Sequence, residues 1–214
     1  MDFAILRKRM VQEQLIPRGI SDPRVLEAFS RVERHRFIPE EFRQSSYADY
    51  PVPIGEGQTI SQPFIVALMT QSLRVGPEDK ILEIGTGSGY QAAVLAELAK
   101  EVYSVERIES LAKKAQGAFK DLGYANIRTK VDDGTLGWKE SAPFNKIIIT
   151  AASPRIPLPL TEQLAEYGAL ILPLGETFSQ VLTLVEKKGK QLQQKQICGC
   201  VFVPLVGKYG WKNN

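Results

Sequence analysis

The chain has 214 residues, 43% hydrophobic and 24% charged, ordinary proportions for a globular protein with material for one large core. At about 150 residues per domain the length favours one domain with elaborations. A net charge of +3 argues against the basic stripe of a nucleic-acid binder, and a single histidine, His35, excludes His-rich metal centres and leaves almost no room for Ser-His-Asp or Cys-His catalysis.

The first residues carry their charge after a short apolar run, Arg7-Lys8-Arg9 following Phe3 to Leu6, which is the wrong order for a secretory signal. No apolar run reaches the roughly 20 residues of a bilayer span, so the expected location is the cytoplasm. Phe3, Leu6, Met10 and Val11 have helical spacing over 3–15, and Pro17 and Gly19 end that helix. Asp22 before Pro23 is a cap followed by proline at the first helical position, and Val25, Leu26, Phe29 and Val32 form the apolar face behind it. Residues 33–60 show no regular pattern and contain Pro39, Pro51, Pro53, Gly55 and Gly57. So long an irregular stretch is usually functional or disordered, and Phe37, Phe42, Tyr47 and Tyr50 argue against disorder. His35, among Arg31, Arg34 and Arg36, reads as a surface residue. Phe64, Ile65, Leu68, Met69 and Leu73 give another amphipathic helix.

From residue 80 the rhythm becomes strand–helix alternation, with strands at 80–84, 102–105, 127–131, 146–149 and 169–172 and helices at 89–99, 109–122 and 160–166. Such alternation implies parallel strands with helices on both faces. Residues 180–186 and 192–203 flank Lys188-Gly189-Lys190 and read as an antiparallel hairpin. Cys198 and Cys200 share one face of its second strand, as small buried hydrophobes in a reducing compartment. Trp138 reads as a packing residue.

The chemistry begins at Glu83-Ile84-Gly85-Thr86-Gly87-Ser88-Gly89, where the first parallel strand turns into a helix. Glycines there permit a tight turn and let a ligand lie against the backbone. The dinucleotide pattern G-x-G-x-x-G fails, because its third glycine falls at Tyr90. An acid before the loop, Glu83, repels a pyrophosphate but suits a cationic ligand bearing an amino acid, which points to S-adenosyl-L-methionine. Glu106 ends the second strand, where a carboxylate can accept two ribose hydroxyls; this suits NAD and S-adenosyl-L-methionine alike. After the third strand, Asp133 and Gly134 are either a simple Asp-Gly turn or an acid placed for the exocyclic amine of adenine.

These residues carry a resemblance. The chain, from about residue 9 to Trp211, resembles the protein-L-isoaspartate (D-aspartate) O-methyltransferase family. Its most specific segments are Pro51-Val52-Pro53-Ile54-Gly55-Glu56-Gly57-Gln58-Thr59-Ile60-Ser61-Gln62-Pro63 and the tail Phe202 to Trp211, with Ile84 to Gln91 and Thr150-Ala151-Ala152 also matching. Two departures stand out: Asp132 where the family usually has glycine, and Glu166-Tyr167-Gly168 where it more often has a glycine pair.

The resemblance implies a Rossmann-like class I methyltransferase: a mostly parallel seven-stranded sheet, an antiparallel C-terminal hairpin and N-terminal helices. It implies one domain over 1–214, with an active-site segment in 1–75, a cofactor core in 76–175 and a hairpin and groove tail in 176–214. The implied cofactor site is Glu83, Ile84, Gly85, Thr86, Gly87, Ser88, Glu106, Asp133, Gly134 and Thr150, with no metal. The implied substrate is the free α-carboxylate of an L-isoaspartyl residue in a damaged protein or peptide. The family's active-site serine falls at Ser61, which also reads as the cap of the helix beginning near Pro63. Ile54, Gly55, Thr59, Ala151, Leu205 and Val206 complete the expected substrate contacts, with Trp211 in the groove wall or capping the core. A monomer without nucleic-acid or membrane partners is expected. Methyl transfer to a carboxylate also explains the single histidine: an α-carboxyl group with a pKa of about 3.5 arrives ionised and needs no general base.

Overall fold

In the computed structural model, which describes residues 2–212, the first helix changes pitch part-way along. Met1, Asn213 and Asn214, the ends of the expected 1–214 unit, lie outside the described residues. The Asp2 carboxylate caps α1 (Phe3–Arg9) by accepting from the Ala4 and Ile5 amides. The chain continues as a π-helix over Met10–Leu15, whose Met10, Val11 and Leu15 are buried, and a 3-10 turn over Ile16–Arg18. Gly19, at φ 90°, stops it. α2 (Pro23–Arg31) begins as expected, with the Asp22 carboxylate accepting from the Arg24 and Val25 amides.

Residues 33–60 are more regular than the sequence suggests. They form 3-10 helices at Arg34–Phe37 and Glu40–Ser45, then an antiparallel hairpin of β1 (Val52–Gly55) and β2 (Gln58–Ile60). The hairpin is short and Pro53 interrupts its pattern, which hides the alternation of inward Val52 and Ile54. α3 (Pro63–Leu73) follows, with Gln62 in the cap position and no side chain capping it. Ser61 therefore does not cap α3, because the helix starts one residue too late for it.

The remaining chain builds the main sheet through β3 (Lys80–Ile84), α4 (Tyr90–Ala96), β4 (Glu101–Glu106), α5 (Glu109–Asp121), β5 (Ile127–Val131) and β6 (Phe144–Ile149). It ends with α6 (Leu158–Glu162), β7 (Leu164–Glu176), β8 (Ser179–Lys188) and β9 (Gln191–Cys200). The strand order is β5-β4-β3-β6-β7-β8-β9, with β5 to β7 parallel to their neighbours and β8 and β9 added antiparallel. The expected helix 160–166 is shorter than its pattern, since β7 takes over at Leu164. A register shift between the Phe144 and Lys146 pairings accommodates the change. There Tyr167 takes φ 60°, and a Cβ on Gly168 would meet the carbonyls of Ala165 and Asn145 at 2.8 and 2.9 Å. The last strand ends at Cys200, and Val201–Val203 leave the ladder to cross towards β6.

Alternation along the central strands supplies two cores. Ile81, Ile148 and Ile171 face the N-terminal helices, α3, α4 and α5, while Leu82, Ile84, Ile147, Ile149 and Leu170 face Tyr103, Phe144 and Leu160. Trp138 packs its ring edge-on to Tyr103, with centroids 5.2 Å apart. His35 is half-buried rather than exposed: it stacks on Phe3 at 4.1 Å, and its Nδ1 lies 2.9 Å from the Tyr47 hydroxyl. Cys198 and Cys200 are free and half-buried. Among the described residues no helix is long and apolar enough to cross a membrane.

One acid is enclosed in this apolar sheet. Glu83 on β3 is 0% exposed; Ser104 of β4 donates to its Oε2, Thr86 lies 2.5 Å from the Ser104 hydroxyl, and Oε1 has no partner. Burial is the main cause that pushes the Glu83 carboxyl up to about 8, so it is largely protonated at neutral pH. The unfolded chain releases this proton near 4.5 and the folded chain only near 8. Between those values the folded state holds more protons, so stability falls as pH rises, by at most about 1.4 kcal/mol per pH unit. Glu83→Gln is expected to flatten this part of the profile. Urea unfolding of both ligand-free proteins across that window measures it, and equal slopes would mean an ionised Glu83 in the fold.

Candidate active site

The carboxyl ends of β3, β4 and β6 open into one cleft, the usual place for a ligand in an open parallel sheet. On its floor β3 turns into α4 through Gly85-Thr86-Gly87-Ser88-Gly89. Gly85, Gly87 and Gly89 take φ values of 95°, 51° and 90°, which side-chain-bearing residues rarely adopt. A Cβ on Gly85 would stand 2.5 Å from the Thr150 hydroxyl, and one on Gly89 would stand 2.7 Å from the Phe119 ring. Thr150 follows β6; its amide donates to Ile84 and its hydroxyl to the Gly85 carbonyl at 2.6 Å.

Glu106, at the end of β4, holds the other side of the loop. Its carboxylate accepts from the Gly87 amide and the Ile108 amide, each at 2.9 Å. Two backbone donors leave carboxylate lone pairs free at the cleft wall, where ligand hydroxyls can donate. Gly134 lines the cleft beside Ile84, whose Cγ2 would stand 2.5 Å from a Cβ there.

The opposite wall comes from both ends of the chain. Thr59 lies on β2, Ser61 lies between β2 and α3, and Leu205 and Val206 lie in the tail. The tail is held to Ala152 by three bonds: Ala152 N to the Val203 carbonyl (2.8 Å), Leu205 N to the Ala152 carbonyl (2.7 Å), and Trp211 Nε1 to that same carbonyl (3.1 Å). Trp211 thus fastens the wall from behind and does not line the cleft. The Ser61 carbonyl accepts from Arg34 Nη2 at 2.8 Å, and its hydroxyl has no hydrogen bond among the described residues.

Thirteen of the expected site residues line this cleft: Thr59, Ser61, Ile84, Gly85, Thr86, Gly87, Ser88, Glu106, Gly134, Thr150, Ala151, Leu205 and Val206. Four do not. Glu83 is sealed in the sheet, fully enclosed and accepting from Ser104, the residue paired with it on β4. Asp133 is engaged elsewhere: Oδ1 accepts from the Thr135 amide and hydroxyl, and Oδ2 accepts from the Lys208 amide at 2.8 Å. Asp132, which is not one of the expected site residues, is turned towards Lys130, whose ammonium at 2.7 Å holds its carboxyl below the usual range. Ile54 packs inward against Gly87 and lines a neighbouring groove, and Gly55 turns the hairpin beside Lys114. Cleft residues absent from the expected set include Met69, Tyr90, Gln91 and Ile108. Tyr90 and Gln91 lie in the segment that resembles the family, while Met69 carries only an apolar helical pattern that also describes ordinary core.

The cradle suits an adenosyl ligand: bare backbone at Gly85 and Gly87, a carboxylate at Glu106, and no side chain able to stand at Gly85 without displacing Thr150. Among the described residues no three His, Cys, Asp or Glu side chains are grouped to hold a metal ion.

Comparison with known proteins agrees with this geometry. Residues 6–210 match the family model described as protein-L-isoaspartate(D-aspartate) O-methyltransferase. The chain is 53% identical over 212 residues to protein-L-isoaspartate O-methyltransferase 1 of Syntrophobacter fumaroxidans, covering 99% of each chain. It is also 53% identical to the protein-L-isoaspartate O-methyltransferase of Geobacter metallireducens, covering 99% of this chain and 98% of that one. Among solved structures, a protein-L-isoaspartate O-methyltransferase superposes with a TM-score of 0.86 at 27% identity, over 95% of this chain and 67% of the other. A Plasmodium falciparum protein described by the same activity, solved with S-adenosyl-L-homocysteine, gives a TM-score of 0.80 at 27% identity over 95% and 97% of the two chains. The chain belongs to the protein-L-isoaspartate(D-aspartate) O-methyltransferase family and has its class I methyltransferase fold.

Proposed function

We propose that this enzyme transfers a methyl group from S-adenosyl-L-methionine to the free α-carboxylate of L-isoaspartyl residues in damaged proteins and peptides. The observation that carries this reading is a single cleft in which the Gly85–Ser88 cradle and Glu106 face Thr59, Ser61 and the tail at Leu205 and Val206.

When bound, S-adenosyl-L-methionine supplies a methyl carbon activated by its sulfonium charge. Glu106 accepts the ribose hydroxyls while Gly87 and Ile108 hold its carboxylate still. Ser61 would donate its free hydroxyl to one oxygen of the acceptor carboxylate, leaving the other oxygen to accept the methyl group the cofactor would supply. The acceptor is already ionised near neutral pH, so no side chain has to remove a proton. The protein contributes alignment and exclusion of water, and alignment alone can lower a barrier by roughly 7–11 kcal/mol. The Val203–Val206 tail, held in extended form on Ala152, gives the damaged chain a backbone-lined wall that reads main chain rather than side chains. After release, the methyl ester is a far better leaving group than a carboxylate. Attack by the following amide nitrogen expels methanol and closes a succinimide, whose hydrolysis returns part of the material to the normal aspartyl linkage.

In this reading residues 76–175 serve the cofactor, while 1–75 and 176–214 serve the acceptor, all within one unit. Asp133 acts on the cofactor side only indirectly, by fastening Lys208 and with it the tail. The enzyme works as a cytoplasmic monomer without nucleic-acid partners, a reading supported by its free thiols and mild net charge.

Labelled methyl from S-adenosyl-L-methionine is expected in an isoaspartyl peptide and not in its aspartyl twin; labelling of both or neither removes the reading. Ser61→Ala is expected to lower turnover about 10- to 100-fold, the worth of a hydrogen bond to a charged group. The affinity for S-adenosyl-L-homocysteine, measured by calorimetry, stays near the wild-type value. Glu106→Ala is expected to do the opposite, weakening S-adenosyl-L-homocysteine by about tenfold or more in the same calorimeter.

A further inference from the structure

Behind the acceptor wall lies a charge that the fold does not neutralise. Arg34 is 0% exposed. Its Nε donates to the Ser46 carbonyl at 2.7 Å and its Nη2 to the Ser61 carbonyl at 2.8 Å, and its guanidinium stands 4.8 Å from the centre of the Tyr90 ring. Nη1 has no hydrogen-bond partner among the described residues. Among the described residues no carboxylate forms an ion pair with Arg34. Asp49, whose field reaches it, is already paired with Arg18 and accepts from the Phe64 amide. Burial draws Arg34 down to about 10, which leaves it cationic at neutral pH.

An arginine enclosed without a counter-charge is expensive, and an anion brought near it offsets part of that cost. The place such an anion can reach is defined by what covers the guanidinium. Arg34 does not line the cleft, but Ser61 and Tyr90, two of the residues it contacts, both do. The charge therefore stands one residue deep behind the seat of the acceptor carboxylate, in surroundings where electrostatic interactions are weakly screened. The two diverging bonds need a planar fork. They tie the end of the second 3-10 helix to the start of α3 and fix the Ser61 peptide plane between them.

We propose that Arg34 is a positioning residue of the acceptor site: it locks the Ser61 main chain, and its unpaired charge is the counter-charge for the carboxylate that Ser61 receives. This rests on the acceptor role proposed for Ser61. Of the partners of Arg34, Ser46 and Ser61 lie on the acceptor side, and Tyr90, the first residue after the glycine loop, meets it only through its ring face, so the main effect is expected on the acceptor.

The test uses the full chain as wild type, Arg34→Met and Arg34→Lys. Three quantities are measured: kcat and KM with an isoaspartyl peptide, inhibition by the same peptide carrying an α-carboxamide, and affinity for S-adenosyl-L-homocysteine. Wild type is expected to bind the carboxylate peptide more tightly than the carboxamide. Arg34→Met loses that preference and about tenfold or more of kcat/KM, while S-adenosyl-L-homocysteine affinity stays within about twofold. Arg34→Lys keeps the charge and the preference but not the fork, and its kcat falls. A folded Arg34→Met with wild-type preference and kcat/KM overturns the proposal. If that variant does not fold, Arg34→Lys decides: unchanged kcat, or an equal loss of S-adenosyl-L-homocysteine affinity, overturns it as well. A wild type that methylates no isoaspartyl peptide would instead remove the role of Ser61 itself.

Discussion

Between the end of β3 and the start of α4 there is room for main chain and nothing else. Thr150 stands against Gly85 on one side and Phe119 against Gly89 on the other, and the backbone between them turns through conformations that favour glycine. Everything at the site follows from this close passage. The loop lies low enough for the Gly87 amide to reach Glu106, and Glu106 is then held at the cleft wall rather than free to swing. A single side chain at Gly85 would push Thr150 away and disturb its bond to the loop, and with it the start of the Ala151–Ala152 turn on which the tail is hung.

The other half of the site depends on contacts between residues far apart in the chain. Asp133, after β5, accepts from the Lys208 amide; Ala152, after β6, pairs with Val203 and Leu205; Trp211 closes over the same carbonyl. The tail becomes a wall only once β6, β7 and the hairpin are in place. Loosening Asp133 therefore disturbs the wall of the cleft through the tail, although its position beside the third strand suggests a cofactor ligand.

Glu83 and Arg34 are both fully enclosed near the cleft, and their chemistry separates them. A carboxyl group can give up its charge when taken from water, and Glu83 does so, remaining as a neutral partner to Ser104 between strands. A guanidinium cannot. Arg34 keeps its charge in the interior, supported by two carbonyls and an aromatic face.

Much of this was legible in residue order. The alternation after residue 80, the Asp22 cap, the glycine loop and the acid ending β4 are local patterns, and local patterns are what a sequence states directly. Where short-range signals competed, the reading lost detail: Pro53 disguised the β1–β2 hairpin, and the helical spacing of 160–166 ran on past the point where β7 captures the chain. The sequence by itself determined the sheet, the loop and the residue types available for chemistry. Only the tertiary structure decided that Glu83 is sealed away from the cleft, that Asp133 serves the tail, that Ser61 is free of its helix, and that Arg34 stands behind it. The reason is physical: burial and partner choice depend on which distant segments pack together, and those contacts have no spacing to be read along the chain.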